Sequence, residues 1–283
     1  MPIMPISRTP DSISLQARRQ KFDIEAALAT DWHGGDAFKT AFFNSLSMTF
    51  PIGEKFFIDS VRACMKDVTD EKLIRDVEGF IAQEAMHSME HRRYNQRLCE
   101  LRGYDHDYII ASQKRRLEWA EKNLSAKMLL AATMGYEHLT ALFAHGSLTD
   151  DNWFGGADPA MAELWGWHAR EELEHKSVAY DVYRAVGGDH KKQGKVLRGV
   201  TITLIMEVLR GMRHMLKDYQ GSKIKLWWHG MGWLFGKQGI LRPLWPEYRA
   251  YLKPGFHPWD HDNRDLLDMF ENLDGPTDPV KAA

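Results

Sequence analysis

A glutamate followed three residues later by a histidine occurs twice on facing positions, as Glu84-Ala-Met-His87 and as Glu172-Leu-Glu-His175. On a helix, residues three and four apart share a face. Each pair therefore presents a carboxylate and an imidazole side by side. His168, four residues before Glu172, falls on the same face. Two more glutamates, Glu54 and Glu137, interrupt apolar helical faces, among Phe50, Phe57, Ile58 and Val61 in one case and Leu130, Met134 and Ala141 in the other. A buried carboxylate without a partner costs several kcal/mol. Four of them on four successive helices need a common partner, and a pair of divalent metal ions is the economical one.

The spacing repeats. Glu54 precedes Glu84 by 30 residues, and Glu137 precedes Glu172 by 35. The chain thus reads as a helix pair used twice, a Glu and then a Glu-x-x-His. The expected grouping is Glu54 and His87 with Glu84 on one metal, and Glu137 and His175 with Glu172 on the other, Glu84 and Glu172 being the candidate bridges. His168 and His91 are two further nitrogens, either of which could be a third ligand; the alternative for each is a hydrogen bond to a ligating carboxylate. Glu90, Glu171 and Glu174 fall on other sides of their helices and are expected at the surface or behind the ligands.

The elements that must position these residues are helical throughout. Residues 1 to about 15 read as a flexible tail, with Pro2, Pro5 and Pro10. A helix is predicted from Asp36 to about Lys66, kinked or divided at Pro51. Others are predicted over 70–101, 106–122 and 125–145, the last ending at Gly146. Asp158-Pro159 pairs an N-cap with proline at the first helical position, and that helix is expected to continue to Val186, before Gly187-Gly188. An apolar helix over 193–217, a Trp- and Gly-rich stretch at 223–236, a proline-rich loop and a short helix at 265–273 complete the chain. The predicted fold is all-α: a lead-in over 1–35, a four-helix core over 36–187, a helical extension over 188–273 and a flexible tail over 274–283.

Composition narrows the function classes. The formal net charge of −2 and pI near 6.7 argue against a nucleic-acid partner. Two cysteines, Cys64 and Cys99, make neither a disulfide framework nor a cysteine metal site. With no signal-peptide pattern at the N-terminus and no apolar run long enough to span a membrane, a cytoplasmic location is expected.

The segments FPIGEKFF, QEAMHSMEH, GYEHLTA, HAREELEHK and YLKPGFHPWDHD resemble the bacterial family of predicted metal-dependent hydrolases, from about residue 35 to 262. That family is related to ferritin-like di-metal proteins, so the resemblance implies a ferritin-like four-helix bundle. The metal motif is also similar to that of di-iron arylamine N-oxygenases, whose additional histidine maps onto His168 and implies a ligand there. The likeness to the di-iron enzymes implies two iron ions (manganese, or a mixed manganese–iron pair, suits the same ligands) and activation of O2, with an external electron donor, to oxidise a small apolar or aromatic substrate. The family name implies the alternative, a dinuclear metal-dependent hydrolase.

The C-terminal aromatics leave two readings. Trp227, Trp228, Trp233 and Phe235 beside Lys223, Lys225 and Lys237 permit contact with a membrane surface, or they pack over the bundle as a cap or homodimer surface. His257 and His261, in Gly-Phe-His-Pro-Trp-Asp-His, suggest either another metal site or a rigid hydrogen-bonded loop.

Overall fold

The computed structural model describes residues 6–274, and they are helical with no strand; one isolated bridge joins His33 to Ala157. The helices are α1 (Glu25–Leu28), α2 (Ala37–Cys64), α3 (Glu71–Arg102), α4 (His106–Asn123), α5 (Ala126–Thr149), α6 (Pro159–His175), α7 (Val178–Ala185), α8 (Gln193–Met215), α9 (Lys223–Phe235), α10 (Trp245–Ala250) and α11 (Arg264–Asp274). Aspartates start four of the long ones. The side chains of Asp36, Asp70, Asp105 and Asp158 each accept hydrogen bonds from first-turn amides, which satisfies donors that a helix N-terminus leaves free. Gly103, in the left-handed region, ends α3 as its position predicts.

Helices α2, α3, α5 and α6 pack around a common centre, α2 against α3 and α5, and α6 against α5 and α3. Helix α8 lies along α2 and α5. Gly211 lets it close on Ser45, and Gly135 of α5 accepts Val200. Three apolar clusters fill the interior, and α8 contributes to the two larger ones, through Val208 and Met212 in one and Leu197 and Val200 in the other.

Four expectations change. Of the two outcomes expected at Pro51, division is not found: α2 runs through it as one helix. Proline cannot donate to the carbonyl four residues back, and the Asn95 side-chain amide donates to the Ser47 carbonyl instead, at 2.8 Å. Helix α5 continues past Gly146, which is not a stop but a seat for Trp153: a Cβ there would lie 2.8 Å from the indole. The helix expected from Asp158 to Val186 is interrupted at Lys176 and Ser177. There the Lys176 ammonium donates to the His261 carbonyl and to Asn263, and the Ser177 hydroxyl meets Thr9 and the Trp259 indole. Finally, residues 6–18 are packed rather than loose. The Ile6 amide donates to Asp70, the Ser7 hydroxyl to Asp76 and the Arg8 amide to Asp181, and Thr9 and Arg18 are buried. Residues 1–5 and most of the expected C-terminal tail, 275–283, lie outside the described residues.

The aromatics of α9 divide. Trp227 packs on Phe38, and Trp233 on Phe42 and Phe43, whereas Ile224, Trp228 and Phe235 are exposed. No helix among the described residues is long and apolar enough to cross a membrane. The His257 loop is hydrogen-bonded: His257 Nε2 meets Asp181 at 2.9 Å and its Nδ1 accepts from the Trp259 amide.

Candidate metal centre

The six residues singled out by spacing, and His168, which the resemblance favoured, converge. Helix α2 brings Glu54, α3 brings Glu84 and His87, α5 brings Glu137, and α6 brings His168, Glu172 and His175, all buried. His175 Nε2 stands 3.2 Å from Glu84, 3.5 Å from Glu137 and 3.7 Å from Glu172. His168 Nε2 is 3.0 Å and His87 Nδ1 3.6 Å from Glu172 Oε1. Three overlapping groups have ligand atoms within 4.8 Å of one another: Glu54, His87 and His168; Glu84, Glu137 and His175; Glu84, His87 and Glu172.

The outer hydrogen bonds fix which ring nitrogens face the centre. Gln83 donates through Nε2 to Glu174, so its Oε1 must accept from His175 Nδ1, at 3.0 Å. That leaves His175 Nε2 facing the carboxylates, open to a proton or a metal ion. His87 Nε2 meets the Glu171 carboxylate at 3.0 Å, which an N–H satisfies, leaving Nδ1 bare. His168 is set by a longer chain. The Asn95 amide nitrogen is committed to the Ser47 carbonyl, so its oxygen accepts the Ser47 hydroxyl proton, at 2.7 Å. The hydroxyl oxygen then accepts from His91 Nδ1, at 2.8 Å, and His91 Nε2 accepts from His168 Nδ1, at 2.9 Å. His168 Nε2 is left bare and points at Glu172. Both His91 nitrogens are engaged, so His91 orients His168 instead of facing the centre.

As neutral rings the three imidazoles would turn lone pairs toward carboxylate oxygens, acceptor against acceptor, unless a proton or a metal ion lies between them. Both oxygens of Glu54, Glu84 and Glu137, Glu172 Oε2, His87 Nδ1 and His175 Nε2 lack any hydrogen-bond partner. Cations resolve such a confrontation, and oxygen-rich sites with imidazole suit divalent metals. The donor set therefore fits a metal centre.

The electrostatics agree. Burial and the surrounding carboxylates push Glu54 and Glu137 well above the usual range. Burial works to raise Glu172 as well, but His168 and His175 outweigh it and hold it well below. Burial works to lower His175, and Glu172 and Glu84 overcome it and raise it well above a free imidazole. A centre that draws a proton this strongly onto an enclosed imidazole is one that attracts positive charge.

Behind these residues lies a second charged layer, one of the two places expected for Glu171 and Glu174, completed by Arg18. Arg18 donates to Glu171 and, through two nitrogens, to Glu174, which also receives Gln83 and Arg170. Glu171 and Glu174 are buried behind the ligands, not at the surface. Gln83 could have been suspected from its place beside Glu84. Arg18 carries no such signal, because its partners are more than 150 residues away.

The centre is reached through apolar space. One narrow cavity, between α2, α4, α5 and α8, ends at Glu54, and another, between α2, α5 and α6, ends at His168 and Glu172. Phe50 and Thr140 line both.

Fold and site together define an all-helical protein with a buried carboxylate–histidine cluster that could hold metal ions. The chain belongs to the family of predicted metal-dependent hydrolases, whose model matches residues 16–262. No curated protein and no solved structure matches the chain. Family membership corrects the expectation of an O2-activating oxidase or oxygenase: the family is described by hydrolysis, and the likeness to arylamine N-oxygenases, confined to the metal motif, has no match behind it. The roles expected for O2 and an electron donor rested on that reading and are not carried further.

Proposed function

We propose that the chain is a dinuclear metal-dependent hydrolase acting on an uncharged acyl compound, most simply a carboxylic ester. In this reading α2, α3, α5 and α6 form a ferritin-like bundle with α8–α11 as its extension, and Glu54, Glu84, His87, Glu137, His168, Glu172 and His175 are the ligands. The observation that carries it is the confrontation of bare imidazole nitrogens with unpartnered carboxylate oxygens. Two divalent ions, iron or manganese by the oxygen-rich donor set, would activate water and polarise the acyl oxygen.

Charge selects the substrate. Four carboxylates balance two divalent ions. Arg18 and Arg170 are occupied by Glu171 and Glu174, and Arg116 by Glu207. A phosphoester would add a negative charge to a centre whose two ions are already balanced by its own carboxylates, whereas an ester adds none. In hydrolysis the water oxygen bonds to the acyl carbon, the bond from that carbon to the leaving oxygen breaks, and the leaving oxygen takes up a proton. The attacking water releases that proton, and Glu54, which lines the approach cavity, would hold a metal ion beside it. His91, Gln83 and Glu171 keep the imidazoles oriented, and the closely packed apolar walls limit entry of further water.

The test compares 4-nitrophenyl acetate with 4-nitrophenyl phosphate, using protein stripped of metal and reloaded with manganese. Metal-dependent cleavage of the ester but not the phosphate is expected, with loss of cleavage and of dinuclear loading in Glu137→Ala. Cleavage of the phosphate alone, or of neither by fully loaded protein, would refute the reading.

A further inference from the structure

Helix α9 is apolar on two sides, and one of them already has its partner within the chain. Trp227 meets the Phe38 ring edge-on, Gly230 closes on the same ring, and Trp233 packs on Phe42 while its indole donates to the Asn152 carbonyl. Those contacts and the buried Leu234 seat the helix. On the other side Ile224, Trp228, Met231 and Phe235 stand 84%, 79%, 42% and 57% exposed. Spaced four, three and four apart, they form one stripe along the helix. Single exposed apolar residues are ordinary, whereas a stripe of four large ones marks a surface that meets an apolar medium.

The charge along this segment has one sign. From Tyr219 to Pro246 the chain carries Lys223, Lys225, Lys237 and Arg242, and no aspartate or glutamate. All four cations are exposed. Lys223 and Lys225 fall about 100° to either side of Ile224 around the helix, so they border the stripe. Two copies meeting by this stripe across a two-fold axis would set these lysines against their counterparts, with no carboxylate of the segment to offset them. A membrane with anionic headgroups complements the same charge and takes up the apolar side chains beneath it. Tryptophan beside lysine suits that boundary, with an apolar body below and polar atoms at headgroup level.

We infer that α9 docks the protein on the surface of an anionic lipid bilayer, with Ile224, Trp228, Met231 and Phe235 set among the outer methylenes and the surrounding cations against headgroup phosphates. The 13 residues of α9 span about 20 Å, less than the roughly 30 Å of a hydrocarbon core. Its inner side is held to α2 by Phe38 and Phe42. The helix therefore lies in the plane of the membrane surface and does not cross it. The inference stands apart from the reaction at the metal centre, since none of the residues that carry it belongs to that centre.

The experiment sediments full-length protein with vesicles of phosphatidylcholine alone, or of phosphatidylcholine with an equal part of phosphatidylglycerol. Binding is expected to the mixed vesicles only. Replacing both bordering lysines, Lys223→Gln with Lys225→Gln, should weaken it about 30-fold, from about 1 kcal/mol for each lysine at an anionic surface. Trp228→Ser should weaken it at least about tenfold through lost apolar burial. Trp119→Ser, which removes a 58% exposed indole from α4, should leave it unchanged. Circular dichroism reports whether each variant is folded. No binding to the mixed vesicles, equal binding to both kinds, or binding unchanged in the folded α9 variants would overturn the inference, as would an equal loss in Trp119→Ser. Sedimentation equilibrium without lipid tests the other occupant: a dimer that Trp228→Ser dissociates would assign the stripe to a second copy and overturn the membrane reading.

Discussion

At the scale of single residues, the centre is held by hydrogen bonds whose direction can be deduced. Pro51 removes an amide from α2, the Ser47 carbonyl turns to Asn95, and Asn95 fixes the proton order through Ser47 and His91 to His168. Asn95→Ala should lower stability by about 1–3 kcal/mol, since it leaves a buried carbonyl unpaired. It should also weaken metal binding by about 10–100-fold, as loss of a hydrogen bond behind a ligating histidine does. Urea unfolding of metal-free protein and metal titration separate the two effects. His138 gives a pH prediction. Burial, against Tyr251 and Phe256, lowers its pKa to about 3. The unfolded chain takes up a proton near pH 6.5 and the folded chain does not, so stability is complete above that pH and is lost as pH falls toward 3. By pH 5 the loss is about 2 kcal/mol. His138→Phe should remove that part of the acid sensitivity, measured as the difference between urea unfolding at pH 7.5 and pH 5 in metal-free protein.

The seven converging residues were legible in the sequence because helical spacing turns directly into shared faces. Behind them, His91, Glu171 and Glu174 were each offered a supporting place as one of two readings, whereas Asn95, Ser47 and Arg18 were not. Asn95 and Ser47 look like ordinary polar positions until Pro51 is seen inside an unbroken helix.

At the scale of elements, the departures from expectation share a cause. Proline and glycine signal the end of a helix only when no distant group compensates. Asn95 compensates for Pro51, and Trp153 uses the space at Gly146. Conversely, the interruption at Lys176 and Ser177 has no local breaker and is tied to residues near both ends of the chain. Helix α9 shows the same dependence on close approach. A Cβ at Gly230 would lie 2.3 Å from the Phe38 ring, which also packs on Trp227. Gly230→Ala is therefore expected to destabilise the protein by about 1–3 kcal/mol through overpacking, despite the better helix propensity of alanine. Denaturant unfolding checks this; an unchanged or raised midpoint would mean that α9 is not seated as described.

At the scale of the whole molecule, the N-terminal segment closes the charged layer behind the ligands. Arg18 pairs with Glu171 and Glu174, which hold His87 and Gln83, so residues ahead of the first helix support the centre between α3 and α6. Arg18→Met would leave two buried carboxylates without that partner, and a loss of about 3–5 kcal/mol is expected. The loss should shrink as pH falls, because burial has already brought Glu171 to about 7 and protonation relieves its charge. Unfolding measured at pH 5.5 and 8 tests both statements.

The all-helical class could be read from periodicity alone. The packing of residues 6–18 could not, because short polar segments carry no period and their partners lie far along the chain. The most direct test of the account follows bound metal and ester cleavage together while metal-free protein is titrated with manganese. Cleavage that grows to a plateau at two ions per chain is the predicted result. Two bound ions with no cleavage of any neutral ester, or cleavage undiminished in metal-free protein, would contradict it.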